Sequence, residues 1–309
     1  MKELSIIIPH KNSVSTLGRL IQSIPESDSI EIIIIDDHSD EDVKFELEIF
    51  CAKNQLIRLF ENPAAVGSAG TARNIGLQYA VGKWILFADA DDYFLDTFAK
   101  QVEKHLKSAA DIIYFKPKIV VNDDSFGCLT MIKSFDIYES KPSEDNLLLL
   151  KLHMVTPWSK LIKRDLIVNN GLCFDEVQKN NDTMFSLKIA LSTERVEIDQ
   201  LPIYSYSVHS FSLTKQTDLN CYYSVVDVHA RAIIFLRDRI PKKQLLEVNP
   251  EAFYTHYRLL YYGLREYRSI KIIINVLRIY RKNGLVKRKY FPLFLAISGF
   301  YKKKQLFRQ

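Results

Sequence analysis

The chain has 309 residues, 47% of them apolar and 26% charged, a balance that supports a sizeable core and excludes a disordered or collagen-like chain. The net charge of +5 hides a division: residues 261–309 carry thirteen Lys and Arg against Glu266 alone, which leaves the first 260 residues at net −7. Cys51, Cys128, Cys173 and Cys221 are scattered without a CxxC pair or zinc spacing, and the opening residues lack a cleavable leader pattern, so a reduced, cytoplasmic chain is expected.

Strand and helix patterns alternate through the first 120 residues. Residues 4–8 form an apolar run of the kind buried on both faces of a parallel sheet, broken by Pro9 and Asn12. Leu17, Leu20, Ile21 and Ile24 follow at helical spacing until Pro25. A β-branched strand is expected over 31–35, a helix over 41–53, a strand over 56–60 and a helix over 69–80. The strand expected over 83–88 runs into Asp89-Ala90-Asp91-Asp92, and a helix over 97–108 and a strand over 111–115 complete the series. This order predicts an α/β fold with an open parallel sheet, whose ligands sit beyond the carboxyl ends of the strands. Polar clusters at 9–12, 36–39 and 89–92 stand at such ends. Residues 120–215 are less regular, and from about Cys221 the pattern is helical and rich in aromatics.

Three aspartates within four residues repel one another unless a cation lies between them. A hard divalent ion with oxygen ligands meets that need and can bridge carboxylates to a diphosphate, whose leaving requires neutralisation. Asp92, the last of the three, is read as a cap for the helix that follows.

Four ordered segments, SIIIPHKN at 5–12, IDDHS at 35–39, GSAGTARNIG at 67–76 and LFADADD at 86–92, resemble the successive signatures of family 2 glycosyltransferases. The resemblance spans about residues 3–215 and implies a GT-A fold: a Rossmann-like, mainly parallel sheet flanked by helices, here with a helical basic C-terminal extension. It implies a nucleotide-binding half at 1–120, an acceptor-side half at 121–215, and a helical region at 216–309 whose basic tail covers 261–309. It further implies an inverting, metal-dependent, non-processive transfer from a nucleoside-diphosphate sugar, UDP-linked, to a glycan or lipid-linked glycan of a surface polysaccharide.

By the same resemblance Pro9, Asp37 and Arg73 face the nucleotide, while Asp89 and Asp91 face ribose and diphosphate and hold Mn²⁺ or Mg²⁺. A carboxylate can accept from a base imide, and a guanidinium offers a planar donor fork. Lys11 stands where many relatives carry Tyr. In KNNDTMF at 179–185, Asn181 stands where relatives carry the first acid of a pair, and Asp182 is the expected general base. TPWSKL at 156–161 resembles an acceptor-side segment, with Trp158 offering a flat face to a sugar. YSYSVH at 204–209 resembles a closing loop near the diphosphate, with His209 as a further metal ligand.

A nucleotidyltransferase would also gather a metal and a nucleotide, but it would show a glycine-rich loop after the first strand, and residues 8–12 hold no glycine. An inactive nucleotide-sugar-binding subunit is the other alternative. The apolar stretch at 290–301 is shorter than the roughly 20 residues a bilayer span needs. Its basic flanks suggest a tail lying on the anionic inner face of the cytoplasmic membrane, and no nucleic-acid motif accompanies it.

Overall fold

The computed structural model describes residues 2–120, 126–207, 218–248, 255–267 and 270–285. The chain divides into two compact units, Met1–Lys215 and Gln216–Gln309. His209 and the stretch at 290–301 lie outside the described residues.

The first unit opens as its hydrophobic pattern dictates. Strands β1 (Leu4–His10), β2 (Ile30–Asp36), β3 (Ile57–Glu61) and β4 (Trp84–Phe87) are parallel and joined by helices α1 (Val14–Gln22), α2 (Glu41–Ala52) and α3 (Ala69–Tyr79). β1, β2 and β4 are buried nearly throughout, which is why they lack apolar–polar alternation. Next come the two-residue β5 (Tyr93–Phe94), helix α4 (Phe98–His105), β6 (Ile112–Phe115) and β7 (Lys118–Val120). Helices α5 (Phe126–Ser140) and α6 (Glu144–His153) then lead to β8 (Lys160–Lys163), α7 (Arg164–Asn169), α8 (Thr183–Ala190), β9 (Val196–Asp199) and β10 (Tyr204–Ser207).

The main sheet has the order β3-β2-β1-β4-β8-β6-β9. The sheet is mainly parallel, as expected, and the exception is β8, which runs antiparallel to both neighbours. It returns from the α5–α6 excursion and enters the sheet from the opposite end, filling the gap between β4 and β6. A second sheet of order β5-β10-β7 stands apart from the first. Its strands are two to four residues long, too short for a periodic signature.

One buried acid ties the layers together. Glu31, within the apolar β2, accepts from the Ser5 hydroxyl (2.6 Å), the Val81 amide (2.8 Å) and Arg58 (3.0 Å). The turn after α3 is thereby anchored to β1 and β2.

The second unit is helical: α9 (Leu219–Arg237), α10 (Lys242–Val248), α11 (Thr255–Tyr267) and α12 (Ile270–Lys282). Asp218 caps α9 by accepting from the amides of Asn220 and Cys221. Its core gathers Tyr222, Val226, Leu260, Val276 and Tyr280. No described helix is long and apolar enough to cross a membrane.

Candidate active site

The carboxyl ends of β1 and β2 are locked by a buried polar knot. His10 Nδ1 lies 3.2 Å from Asp36 Oδ1, the Ser39 hydroxyl donates to the same carboxylate (2.5 Å), and the Ser13 amide donates to His10 Nε2 (3.2 Å). Burial alone would raise Asp36, but these hydrogen bonds outweigh it and hold the carboxyl below its ordinary value. Asp37 follows directly, 7% exposed, with its amide donating to the His10 carbonyl (2.7 Å) and Oδ1 accepting from Asn62 Nδ2 (2.6 Å). Gly67 packs against it, and a Cβ there would lie 2.7 Å from both Asp37 Oδ1 and His38 Nδ1. Pro9 is the penultimate residue of β1, partly open and paired with Ile35.

Helix α3, capped by Ser68, carries Arg73. Its guanidinium is buried and forks two ways, with Nη2 donating to Asp89 Oδ1 at 2.6 Å and Nη1 to Asn181 Oδ1 at 3.0 Å. Arg73 thus joins the aspartate cluster to the segment before α8. Its Nε is buried with no hydrogen-bond partner, and the Phe174 ring lies 5.4 Å from the guanidinium carbon.

In the cluster itself the three acids have separate surroundings. Asp89 keeps its side chain 28% exposed beside Arg73. The Asp91 carbonyl accepts from Arg19 (2.5 Å), whose guanidinium covers the Tyr93 ring. Asp92 does not cap a helix. It is fully buried and accepts from the Tyr204 hydroxyl (2.6 Å) and the Ser207 amide (2.7 Å), bonding the loop to β10. Burial, and then the negative charges of Asp89 and Asp91, push its carboxyl up to about 8 against those two hydrogen bonds. The sequence reading of a cap fails because β5 intervenes before α4, whose N-cap is Thr97.

These surroundings fit a hard cation in part. Asp92 has both oxygens engaged inside the protein; Asp89 and Asp91 are the two carboxylates of the cluster that would hold a metal, and the negative charge they place on Asp92 is what a cation would relieve. No group of three metal-ligating side chains gathers among the described residues. Two protein oxygens suit an ion that shares its shell with a phosphate ligand.

Asp182 occupies the N-cap position of α8 but makes no side-chain capping hydrogen bond. Burial raises its pKa, and Asp89 adds to that, while the positive charges of Arg73 and Lys160 oppose it. The segment leading to it is docked on α3. Asn74 exchanges hydrogen bonds with the Phe174 backbone (3.0 and 2.8 Å), and Gln178 Nε2 donates to the Gly67 carbonyl (2.7 Å). A side chain at Gly70 would strike the Asp175 carbonyl, so the close approach requires glycine there.

Trp158 is 3% exposed and stacks near Tyr204 and Tyr206, with centroids 5.4 and 5.3 Å away. A ring so enclosed does not present a free face to a sugar; it backs the half-buried Tyr206 instead. Sequence reading passed over Arg19, Asn62, Asn74 and Lys160. For the last the local sequence gave little signal, since β8 reads Lys-Leu-Ile-Lys with a lysine at each end.

A family model described as glycosyl transferase family 2 matches residues 5–169. The poly(ribitol-phosphate) beta-N-acetylglucosaminyltransferase TarS of Staphylococcus aureus is 24% identical over 225 residues, 67% of this chain and 36% of that protein. The UDP-Glc:alpha-D-GlcNAc-diphosphoundecaprenol beta-1,3-glucosyltransferase WfgD of Escherichia coli is 32% identical over 127 residues, 40% of this chain and 49% of its own. The chain therefore matches about a third to a half of the length of these relatives. Among solved structures, S. aureus TarS 1-349 superposes with a TM-score of 0.67 at 19% identity, covering 94% of this chain and 86% of that one. A Pyrobaculum calidifontis mannosyltransferase in complex with GDP-Man and Mn²⁺ gives 0.53 at 16%, covering 96% and 86%. At these identities the superpositions establish the fold, which is GT-A.

Proposed function

The chain belongs to glycosyl transferase family 2, and from that premise we propose that it moves a sugar from a nucleoside-diphosphate sugar to a glycan or lipid-linked glycan of a cell-surface polysaccharide. Family membership removes the nucleotidyltransferase alternative. The observation that carries the reading is the buried Arg73 fork, which ties Asp89 of the aspartate cluster to Asn181 beside Asp182. A donor-side carboxylate and a candidate base are thereby held in one rigid frame, as a single-displacement transfer requires.

The donor's nucleotide is assigned to the pocket formed by Pro9, Asp37, Asn62 and Gly67, and UDP is the nucleotide favoured. S. aureus TarS, whose fold this chain shares, was solved in complex with UDP-GlcNAc. Asp89 and Asp91 are assigned to the diphosphate end of the donor and would hold Mn²⁺ or Mg²⁺ there; such an ion would supply the charge that neutralises the leaving diphosphate. His209 is proposed as a further ligand. Asp182 takes the proton of the acceptor hydroxyl as its oxygen attacks the anomeric carbon from the face opposite the leaving group. One carbon–oxygen bond forms, the bond to the diphosphate breaks, and the configuration inverts. Trp158 serves the acceptor side from beneath, as the support of Tyr206. The basic tail at 261–309 is proposed to hold the protein on an anionic membrane surface, where a lipid-linked acceptor would lie.

Transfer assays with a panel of nucleotide sugars, with and without Mn²⁺, test this reading. Asp182→Asn should lower kcat by about 10²–10⁴-fold with donor affinity unchanged. Transfer by this variant at the wild-type rate would sink the assignment, and failure of the wild-type protein to turn over any donor would favour an inactive binding subunit.

A further inference from the structure

Lys160 opens β8 directly after Ser159, which holds a left-handed φ of 58°. It is 1% exposed, and unlike Lys104, Lys116, Lys151 and Lys163 it has no carboxylate in ion-pair contact among the described residues. An ammonium taken out of water without a paired acid is costly to keep. Its hydrogen-bond partners are neutral: the Met154 carbonyl at 2.5 Å and the Ser186 hydroxyl at 3.3 Å. The Tyr114 ring of β6 lies 5.7 Å away.

Those partners define a clamp. Met154 ends α6, and Ser186 lies one turn into α8, with its amide donating to the Asp182 carbonyl (2.9 Å) and its hydroxyl to the Thr156 carbonyl (3.4 Å). One buried nitrogen therefore fastens the turn at 154–159, which carries Trp158, to the helix that begins at Asp182. We propose that Lys160 is a positioning residue for the transfer: its side-chain nitrogen clamps this turn to α8 and, while protonated, supplies a buried positive charge that acts on Asp182. This rests on the reading of Asp182 as the base.

Electrostatics agree with the geometry. Burial lowers the Lys160 amine to about 7, and the charge acting against that fall is the Asp182 carboxylate. The charges that act on Asp182 in turn are those of Arg73 on α3, Asp89 beyond β4 and Lys160 on β8. Below its own pKa the ammonium is charged, so it favours the ionised carboxylate in the range where a base would otherwise be lost to protonation. Removing it should raise Asp182 further.

The test uses the full chain with carbon-13 carboxyl labelling of aspartate, the Asp182 signal being assigned by its loss in Asp182→Asn. In Lys160→Met the Asp182 titration and the acid limb of the kcat profile should both move up by about one pH unit. The donor KM should not change. Linkage requires the reciprocal effect, so in Asp182→Asn the Lys160 amine, followed by nitrogen-15 labelling, should titrate lower by a similar amount. That second measurement stands even if Lys160→Met does not fold. An Asp182 titration left in place in Lys160→Met, or a Lys160 titration left in place in Asp182→Asn, overturns the proposal and leaves Lys160 a packing residue. Wild-type transfer by Asp182→Asn would instead remove the base reading, and the paired titrations would still report on the coupling itself.

Discussion

At Asp182, position and protonation pull in different directions. The residue sits where a helix cap would sit, yet its side chain makes no capping bond, so the carboxylate is not committed to the helix. Burial raises its pKa, and a base works ionised, so kcat should fall as pH drops through a value above the ordinary aspartate range of about 3.9. A kcat profile flat down to that range would disconnect the rate from this group. Gly67 offers a separate lever on the proposed nucleotide pocket. Gly67→Ala would press a methyl against Asp37 and His38, and the prediction is a donor KM raised about tenfold with kcat nearly unchanged, as for loss of uniform binding. An equal fall in kcat would place Gly67 nearer the chemistry.

Among the elements, β2 shows how a strand can be both core and anchor. Its apolar run is interrupted by Glu31, which is 3% exposed yet fully hydrogen-bonded. Burial alone would raise its carboxyl, but the hydrogen bonds from Ser5, Val81 and Arg58, with the Arg58 charge, bring it below the ordinary value of 4.5. A depressed folded pKa means that this stabilisation is present at neutral pH and lost as pH falls through the folded value. Glu31→Ala strands a hydroxyl and buried amides, so we expect a loss of about 2–4 kcal/mol in urea unfolding at pH 7. The gap between variant and wild type should narrow below about pH 4. A constant gap across pH would mean that packing, not charge, is what Glu31 contributes.

For the whole molecule, the charge division is the feature with a consequence for location. In α12 the apolar positions Ile272, Val276, Leu277 and Tyr280 are buried in the second unit, while Lys271, Arg278, Arg281 and Lys282 are exposed. Deleting α12 would therefore dismantle that core, and a test of membrane attachment should cut after it. A chain ending at residue 285 loses seven Lys and Arg. It should sediment less with anionic phosphatidylserine vesicles at about 0.15 M salt, with a difference that shrinks in high salt. Equal sedimentation of the two chains would remove residues 286–309 from any role at a membrane.

The early strands, the helices between them and the aspartate cluster were legible in the sequence, because local hydrophobic period and strand-end polarity report burial directly. The four ordered segments carried the family for the same reason: each is one local stretch, a strand with the turn after it or the start of a helix, and is read without a distant partner. Tertiary structure decided what depends on partners far away in sequence. Asp92 became a buried anchor only because Tyr204 and Ser207 reach it across more than a hundred residues. Trp158 became a support once β10 laid two tyrosines against it, and β8 turned antiparallel because a long helical excursion brought it back from the other end. Lys160 reads in sequence as one charge at the edge of a strand, and only its burial beside the helix of Asp182 sets it within the site. Local pattern fixes which residues are inside; which of them meet is settled by how the chain returns on itself.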